Sequence, residues 1–380
     1  DRHYLPPPSE QTANILVIDR ETSGRVQASL DHQVGALQLQ GRLWGHGLRR
    51  RSRSFRDATL VEVATSESLA ASRVGGQALA TQALGPRWRW VASLTVDHEQ
   101  ADVKAFTGST TLRSTGDATL TETAAGAQYE RGTARVDAAV GLAAPMGVGA
   151  DPWPEAKLTA RWRPWSPLEV IATLARKGRT PSLRERFDVQ SGNPALDPEL
   201  ASHAEGRAIV TVGPVELDVA AYFKRSTGTV VADQVTNRLV NLGEVDLSGV
   251  DARVTARLGE RVTLGAAYGL VRDRARADSD SPWRDDPLDR LPDHHGEASA
   301  QLRLPRAIAF TARGRYVGTA IDRMQPVDSY TLADATASIA IDEWLAVVKC
   351  DDLLDAAPET RTGYRLPGRV VTVIVQADWD

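Results

Sequence analysis

The chain has 380 residues, a formal net charge of −4 and 25% charged residues, without the basic surplus on which nucleic-acid binding draws. It contains no run of about 18 apolar residues, which excludes a membrane-spanning helix but not a strand-built span, whose alternating faces cancel in any average. The one cysteine, Cys350, excludes an internal disulfide framework and a thiolate metal cluster.

The chain opens on Asp1-Arg2-His3-Tyr4-Leu5-Pro6-Pro7-Pro8. This stretch is polar and proline-rich and lacks the apolar core of a signal peptide, so the chain reads as a mature product, an excised piece or a fragment. The expected strands then follow in order: 14–19, 25–31, 35–48, 71–83, 87–105, 118–129, 133–143, 156–163 and 168–177. The rest are 204–212, 215–225, 249–258, 262–271, 297–303, 307–317, 330–341, 344–353 and 369–379, about 18 in all, with 59–65 as an extra hairpin arm inside a connection.

Period-two alternation carries these assignments, because successive side chains of a strand point to opposite faces. Val215, Leu217, Val219, Ala221 and Phe223 are apolar, while Glu216, Asp218 and Lys224 fall between them. The same parity sets Val250, Ala252 and Val254 against Asp251, Arg253 and Arg257, and Ala298, Ala300 and Leu302 against Glu297 and Arg303. Glu216, Asp218, Lys224, Arg253, Arg257, Arg303, Arg313 and Arg315 are expected to line a wet interior.

The connections alternate too. Every other one is tight: His32-Gln33, Leu84-Gly85-Pro86, Glu130-Arg131-Gly132, Trp165-Ser166-Pro167, Gly213-Pro214, Gly259-Glu260, Leu304-Pro305-Arg306 and Asp342-Glu343. Between them lie long polar stretches at 49–68, 106–117, 145–154, 178–203, 226–247, 273–291, 318–328 and 355–368. This asymmetry predicts an all-β, antiparallel up-and-down transmembrane β-barrel over 1–380 as one domain, with short periplasmic turns and long extracellular loops. Trp88, Trp90, Trp153, Trp162, Trp165, Trp344 and Trp379 sit near strand ends, where an aromatic girdle is expected. The last strand alternates from Val371 and ends on Trp379, next to the terminal Asp380.

Several motifs now resemble the TonB-dependent outer-membrane receptors. Gly178-Arg179-Thr180-Pro181-Ser182-Leu183-Arg184-Glu185 is similar to that family's barrel motif of Arg, Ala or Thr, Pro-Ser-Leu and Glu. Gly192-Asn193-Pro194-Ala195-Leu196-Asp197-Pro198-Glu199 resembles its Gly-Asn-Pro-x-Leu-x-Pro-Glu. Asn241-Leu242-Gly243 with Gly249-Val250-Asp251 resembles the Asn-x-Gly and Gly-Val-Glu step, with Asp in place of Glu. Asp352-Leu353-Leu354-Asp355 occupies the slot of an Asn-Leu-Phe-Asp, and Gly363-Tyr364-Arg365-Leu366-Pro367-Gly368-Arg369 resembles Gly-Tyr-x-x-Pro-Gly-Arg ahead of the closing strand. Singly, each is loop punctuation that any long β connection uses. Jointly and in order, they cover 87–380.

The resemblance implies a receptor of the cell outer membrane, seated among outer-membrane lipid and lipopolysaccharide. Such receptors take up a scarce small-molecule ligand such as a siderophore, cobalamin or a glycan, and the TonB energy-transducing complex gates them through a plug domain. They carry about 22 strands and an N-terminal plug, so the chain is read as the barrel portion alone, with a divergent or truncated homologue as the alternative. No enzyme constellation and no cofactor are expected. A passive porin-like or adhesive barrel without energy coupling is the competing function.

The remaining clusters are read from residue type. Arg49, Arg50, Arg51 and Arg53, with Arg56, fall in an expected extracellular loop and could grip lipopolysaccharide phosphates or an anionic chelate by bidentate pairing; a solvated loop is the plainer alternative. Asp278, Asp280, Asp285, Asp286 and Asp289 could offer oxygens to calcium, though at no EF-hand spacing. His294-His295 is the one histidine pair, and neighbours on an extended backbone point apart, against a shared metal.

Overall fold

The computed structural model describes residues 2–4, 15–56, 60–188, 191–233, 236, 238–276, 291–322 and 325–377. In order come β1 (Arg2–Tyr4), β2 (Ile15–Val34), β3 (Leu37–Phe55), β4 (Val63–Ala83), β5 (Trp88–Thr107) and β6 (Thr110–Arg131). Next are β7 (Ala134–Met146), β8 (Trp153–Trp165), β9 (Leu168–Arg179), the one-turn helix α1 (Leu183–Phe187), β10 (Glu199–Val212), β11 (Val215–Ala232) and β12 (Leu239–Leu258). β13 (Val262–Arg276), β14 (His294–Leu304), β15 (Ile308–Val317), β16 (Ala320–Asp322), β17 (Gln325–Val327) and β18 (Tyr330–Ile341) follow. The chain ends on β19 (Trp344–Asp351), β20 (Glu359–Arg361), β21 (Tyr364–Arg365) and β22 (Val370–Ala377).

Eighteen of these strands form one antiparallel sheet in which each pairs with the next along the chain. The series is interrupted only where β15 pairs β18 and β19 pairs β22, because β16–β17 and β20–β21 are small hairpins inside connections. An all-β up-and-down barrel sheet is therefore what the chain builds. Local chemistry sets the tight turns. Arg131 faces Ala134 and Val212 faces Val215, and the chain reverses between them on Gly132 and Gly213 at φ of 60° and 56°. Such left-handed backbone suits glycine and matches the twist of a two-residue hairpin.

The sheet has one greasy, uncovered face. Leu30, Leu43, Val140 and Val373 are between 65% and 70% exposed, and their neighbours of like parity are Leu217, Phe223, Val250, Val254 and Leu302, all exposed. An apolar surface of that extent marks contact with something other than water. Trp88, Trp162, Trp165 and Trp344 are also exposed, all at the short-turn end. Trp153, by contrast, is buried at the other end and donates to Glu155 at 3.2 Å, so it belongs to no girdle; Trp379 lies outside the described residues. The opposite face is charged and paired, through Arg315 to Asp334 at 2.9 Å and Arg207 to Asp218, whereas Arg225 and Asp246, 2.7 Å apart, share the parity of Phe223 and Val250 on the greasy face. The residues expected inside, Asp218 and Arg313 among them, fall on the charged face.

At the long-connection end the strands run further than expected. The connection expected at 49–68 shrinks to 56–62, that at 106–117 to a turn at Gly108-Ser109, and that at 226–247 to 233–238. Candidates 14–19 and 25–31 are one strand, β2, and the total of 18 is restored by β1, which pairs with it. The arm at 59–65 is partly the start of β4, and the turn placed at His32-Gln33 lies at Gly35-Ala36. The cause is common to all. β6 spans 22 residues, about twice what crosses a bilayer, and a strand projecting past the apolar band has two wet faces and no alternation to read.

Candidate functional site

The connection from β9 to β10 is a long loop that folds back onto the inner wall. Ser182 caps α1 and forms a capping box with Glu185, each side chain bonding the other's backbone N–H. Arg179 then ties both ends of the loop together. Its Nη1 and Nη2 donate to Glu185 at 2.9 and 3.1 Å, and its Nε donates to Glu199 at 2.7 Å. Burial pushes the Glu185 carboxyl up, but the bonds from Arg179 and Ser182 outweigh it and leave the group below its ordinary range. Leu183 and Pro181 are buried, and the Phe187 ring lies against Gly116 of β6, 2.0 Å from where a Cβ would stand.

The second and third motifs complete the block. Asn193 donates to the Leu239 carbonyl at 2.9 Å, and Asn241 brackets the backbone of Asp197 while donating to the Gly228 carbonyl at 2.6 Å. Gly192 has no room for a side chain, since a Cβ would stand 2.4 Å from the Asp188 carbonyl; at Gly249 it would meet the Tyr222 hydroxyl at the same distance. Pro194 and Pro198 both give their carbonyls to the block, Pro194 by accepting from Arg186 and Pro198 by lying against Gly228. Gly243 lies within β12. Arg186 is 4% exposed, donates through Nη2 to the carbonyls of Val148 and Pro194, and leaves Nε and Nη1 without partners; desolvation lowers its pKa. The last motif makes a block of its own. Asp355 accepts from the Arg369 backbone at 2.8 Å across Gly368, where a Cβ would clash, and Arg369 donates to the Leu353 carbonyl. Gly363, Tyr364 and Pro367 belong to the hairpin β20–β21 and the turn beyond it.

Beside α1 lies a cavity of about 710 Å³ on the inner wall, lined by Arg73, Asp97, Glu99, Glu122, Lys177, Arg179, Glu199 and Lys224, with Ser182, Ser226 and Thr229. The volume suits a small ligand. Arg73 pairs with Asp97 and with Glu99 at 3.2 Å, Lys177 with Glu122 at 3.5 Å, and Arg179 with Glu199. Lys224 has no ion-pair partner among the described residues. The cavity can therefore bind and release a polar ligand by exchanging ion pairs. Among the described residues, no three His, Cys, Asp or Glu side chains converge to hold a metal.

Of this lining, sequence reading singled out Arg179, Ser182, Glu199 and Lys224. It missed Arg73, Asp97 and Glu99, whose inward parity on β4 and β5 is a usable signal once the register is known. The arginine run lies on a strand rather than in a loop, except for Arg56 in the connection after it. Arg49, Arg50, Arg51 and Arg53 lie on β3, where Arg50 turns to Glu67 at 3.4 Å and the other three are exposed on the opposite face. His294 and His295 do point apart, His294 bonding the Tyr268 hydroxyl at 2.5 Å and His295 lying 3.9 Å from Asp251. The acidic cluster at 278–289 lies outside the described residues.

The family model described as TonB dependent receptor-like, beta-barrel matches residues 10–349. The sequence matches none of the curated proteins. Among solved structures, the copper transporter OprC superposes with a TM-score of 0.81 at 9% identity, over 95% of this chain and 66% of that one. The ferric-catecholate import receptor Fiu from E. coli K12 gives 0.72 at 11%, over 96% and 64%, and the ferric citrate transporter FecA gives 0.76 at 11%, over 94% and 61%. The chain thus spans about two thirds of the length of these structures, and at such identities the likeness is one of fold.

Proposed function

The chain belongs to the TonB-dependent receptor-like β-barrel family, and on that premise we propose that it is the barrel portion of an outer-membrane receptor importing a scarce, polar small-molecule ligand. The observation carrying this reading is the charged cavity beside α1, set on the inner face of a sheet whose other face is exposed and apolar. Ligand entering from the long-connection end meets Lys224, Arg73 and Arg179 while α1 stands over it. The similar structures are of proteins named as a copper transporter, a ferric-catecholate import receptor and a ferric citrate transporter, which favours a metal chelate as cargo, with the metal as substrate and not as resident cofactor.

On this reading, transport requires no covalent chemistry. Binding redistributes the ion pairs of Arg73 and Arg179, α1 shifts, and a plug from elsewhere in the full protein, pulled by TonB, clears the path. A ligand can move α1 only by as much as it binds the shifted state more tightly.

The test is equilibrium titration of the purified chain in detergent with ferric citrate, a ferric catecholate and a copper chelate, against Lys224→Glu. Saturable binding of one chelate, weakened at least tenfold by the variant, supports the receptor. Non-saturable flux of unrelated solutes through vesicles containing the chain, with no chelate bound, would make it a passive pore.

A further inference from the structure

Trp44 lies against the inner wall by the face of its ring. It shares the inward parity of Arg50 on β3, and the register runs Gln27, Trp44, Gly75, Asp97 across β2 to β5. A Cβ built on Gly75 would stand 2.5 Å from the indole Cε2, 2.6 Å from Cζ2 and 2.7 Å from Nε1. Cε2 sits between the other two in the ring, so an edge-on approach would bring those two nearest. Here Cε2 is nearest, and the ring covers the glycine with its face. Only glycine leaves room for this, since any side chain at 75 would lift the indole.

The position of the ring ties it to the cavity beside α1. Asp97 is two strands from Trp44, about 10 Å at the usual strand spacing, and the indole lies across the strand between them. Arg73, two residues from Gly75 on β4, lines the cavity together with Asp97. The indole therefore continues the cavity floor on its β3 side. It is half-buried, and among the described residues its N–H has no hydrogen-bond partner and no arginine or second ring stacks on it. A flat aromatic surface held this way offers its free face to another flat ring.

We propose that Trp44 is the stacking platform of the inner cavity, and that the ligand is an anionic chelate bearing flat aromatic rings. One ring lies on the indole while the charged part meets Arg73 and Lys224. A ring-free chelate would use the cations and leave the indole uncovered. A neutral sugar would use the indole and leave Lys224, which has no ion-pair partner among the described residues, without an anion. The aromatic chelate uses both. The proposal rests on the reading of this cavity as the ligand site and adds to it the class of ligand.

The experiment titrates the full chain in detergent with the ferric complex of catechol, which is anionic and carries rings, with ferric citrate, which is anionic and ring-free, and with neutral maltose. Wild type is expected to bind the catechol complex about tenfold more tightly than ferric citrate, and Trp44→Ala to lose that preference while binding ferric citrate as before. Gly75→Ala keeps the indole and every charge but lifts the ring, and should weaken the catechol complex alike; Trp44→Phe should fall between. Lys224→Glu should weaken both chelates. Equal loss of both chelates in Trp44→Ala makes the indole a structural part of the wall and overturns the platform, as do unchanged affinities in Trp44→Ala and Gly75→Ala. Maltose bound by wild type and lost in Trp44→Ala overturns it in favour of a sugar. Saturable ferric citrate binding without a preference for the catechol complex fails this proposal alone; no saturable binding of either chelate fails the receptor reading with it.

Discussion

Asn241 holds the peptide of Asp197 from both sides, accepting from its N–H at 2.8 Å and donating to its carbonyl at 3.0 Å. The two residues are 44 apart in sequence, and the pair staples the loop carrying α1 to the start of β12. A third bond, to the Gly228 carbonyl at 2.6 Å, fixes the neighbouring hairpin. Asn241→Ala removes all three bonds at about 1 kcal/mol each. Peptides covering 192–199 should then exchange amide hydrogens at least tenfold faster, with the rest of the sheet unchanged. Unchanged exchange in that loop would mean other contacts suffice to hold it.

Gly116 decides whether α1 can lie on the wall. Its missing Cβ leaves the space that the Phe187 ring fills, so Gly116→Val should expel the ring and lift α1 while leaving the β5–β6 register intact. A spin label at position 184, on the exposed side of α1, with Cys350→Ser to remove the native thiol, should sharpen towards a mobile spectrum in this variant. An unchanged spectrum would show that α1 is held by the Arg179 and Asn241 bonds alone.

What the sequence made legible followed one rule and ended where that rule ended. Alternation at Val215 to Phe223 and Val250 to Val254 located strands and faces because each strand there separates grease from water. Past the apolar band, the stretch from Arg49 to Ser54 carries polar side chains on both faces, so its extended backbone looked like loop and its arginines like loop arginines. Motif resemblance found the block of Arg179, Asn193 and Asn241 because its bonds are made by short polar side chains at fixed offsets. Arg73 and Asp97 escaped it, because a cavity wall assembled from six strands depends on register, which no single strand states.

Acid should loosen α1 in a narrow window. The Glu185 carboxyl is held below its ordinary range in the folded protein, so its bonds to Arg179 and Ser182 contribute stability that is fully present above that range. That contribution is lost as pH falls through the depressed folded value. The same spin label should report an immobile α1 from neutral pH down to the ordinary carboxylate range and rising mobility only below that range, and Glu185→Gln should be mobile throughout and indifferent to pH. A wild-type transition near neutrality would assign the control to another group.

Arg253 and Val254 are adjacent on β12 and point to opposite faces, Arg253 opposite Asp218 and Val254 opposite Leu217. This makes them a matched test of which face meets lipid. If Val254 looks into hydrocarbon, Val254→Arg places a charge there at about 2–4 kcal/mol near mid-membrane and less near the interface. On the wet inner face, Arg253→Val loses only a screened attraction, worth about 1 kcal/mol or less, to Asp218, whose carboxylate is bonded to Arg207. Unfolding by guanidinium in lipid vesicles should therefore show a lowered midpoint for Val254→Arg and little change for Arg253→Val. The reverse order would require Val254 to face water and Arg253 to be enclosed, and with it the charged cavity would lie on the lipid side.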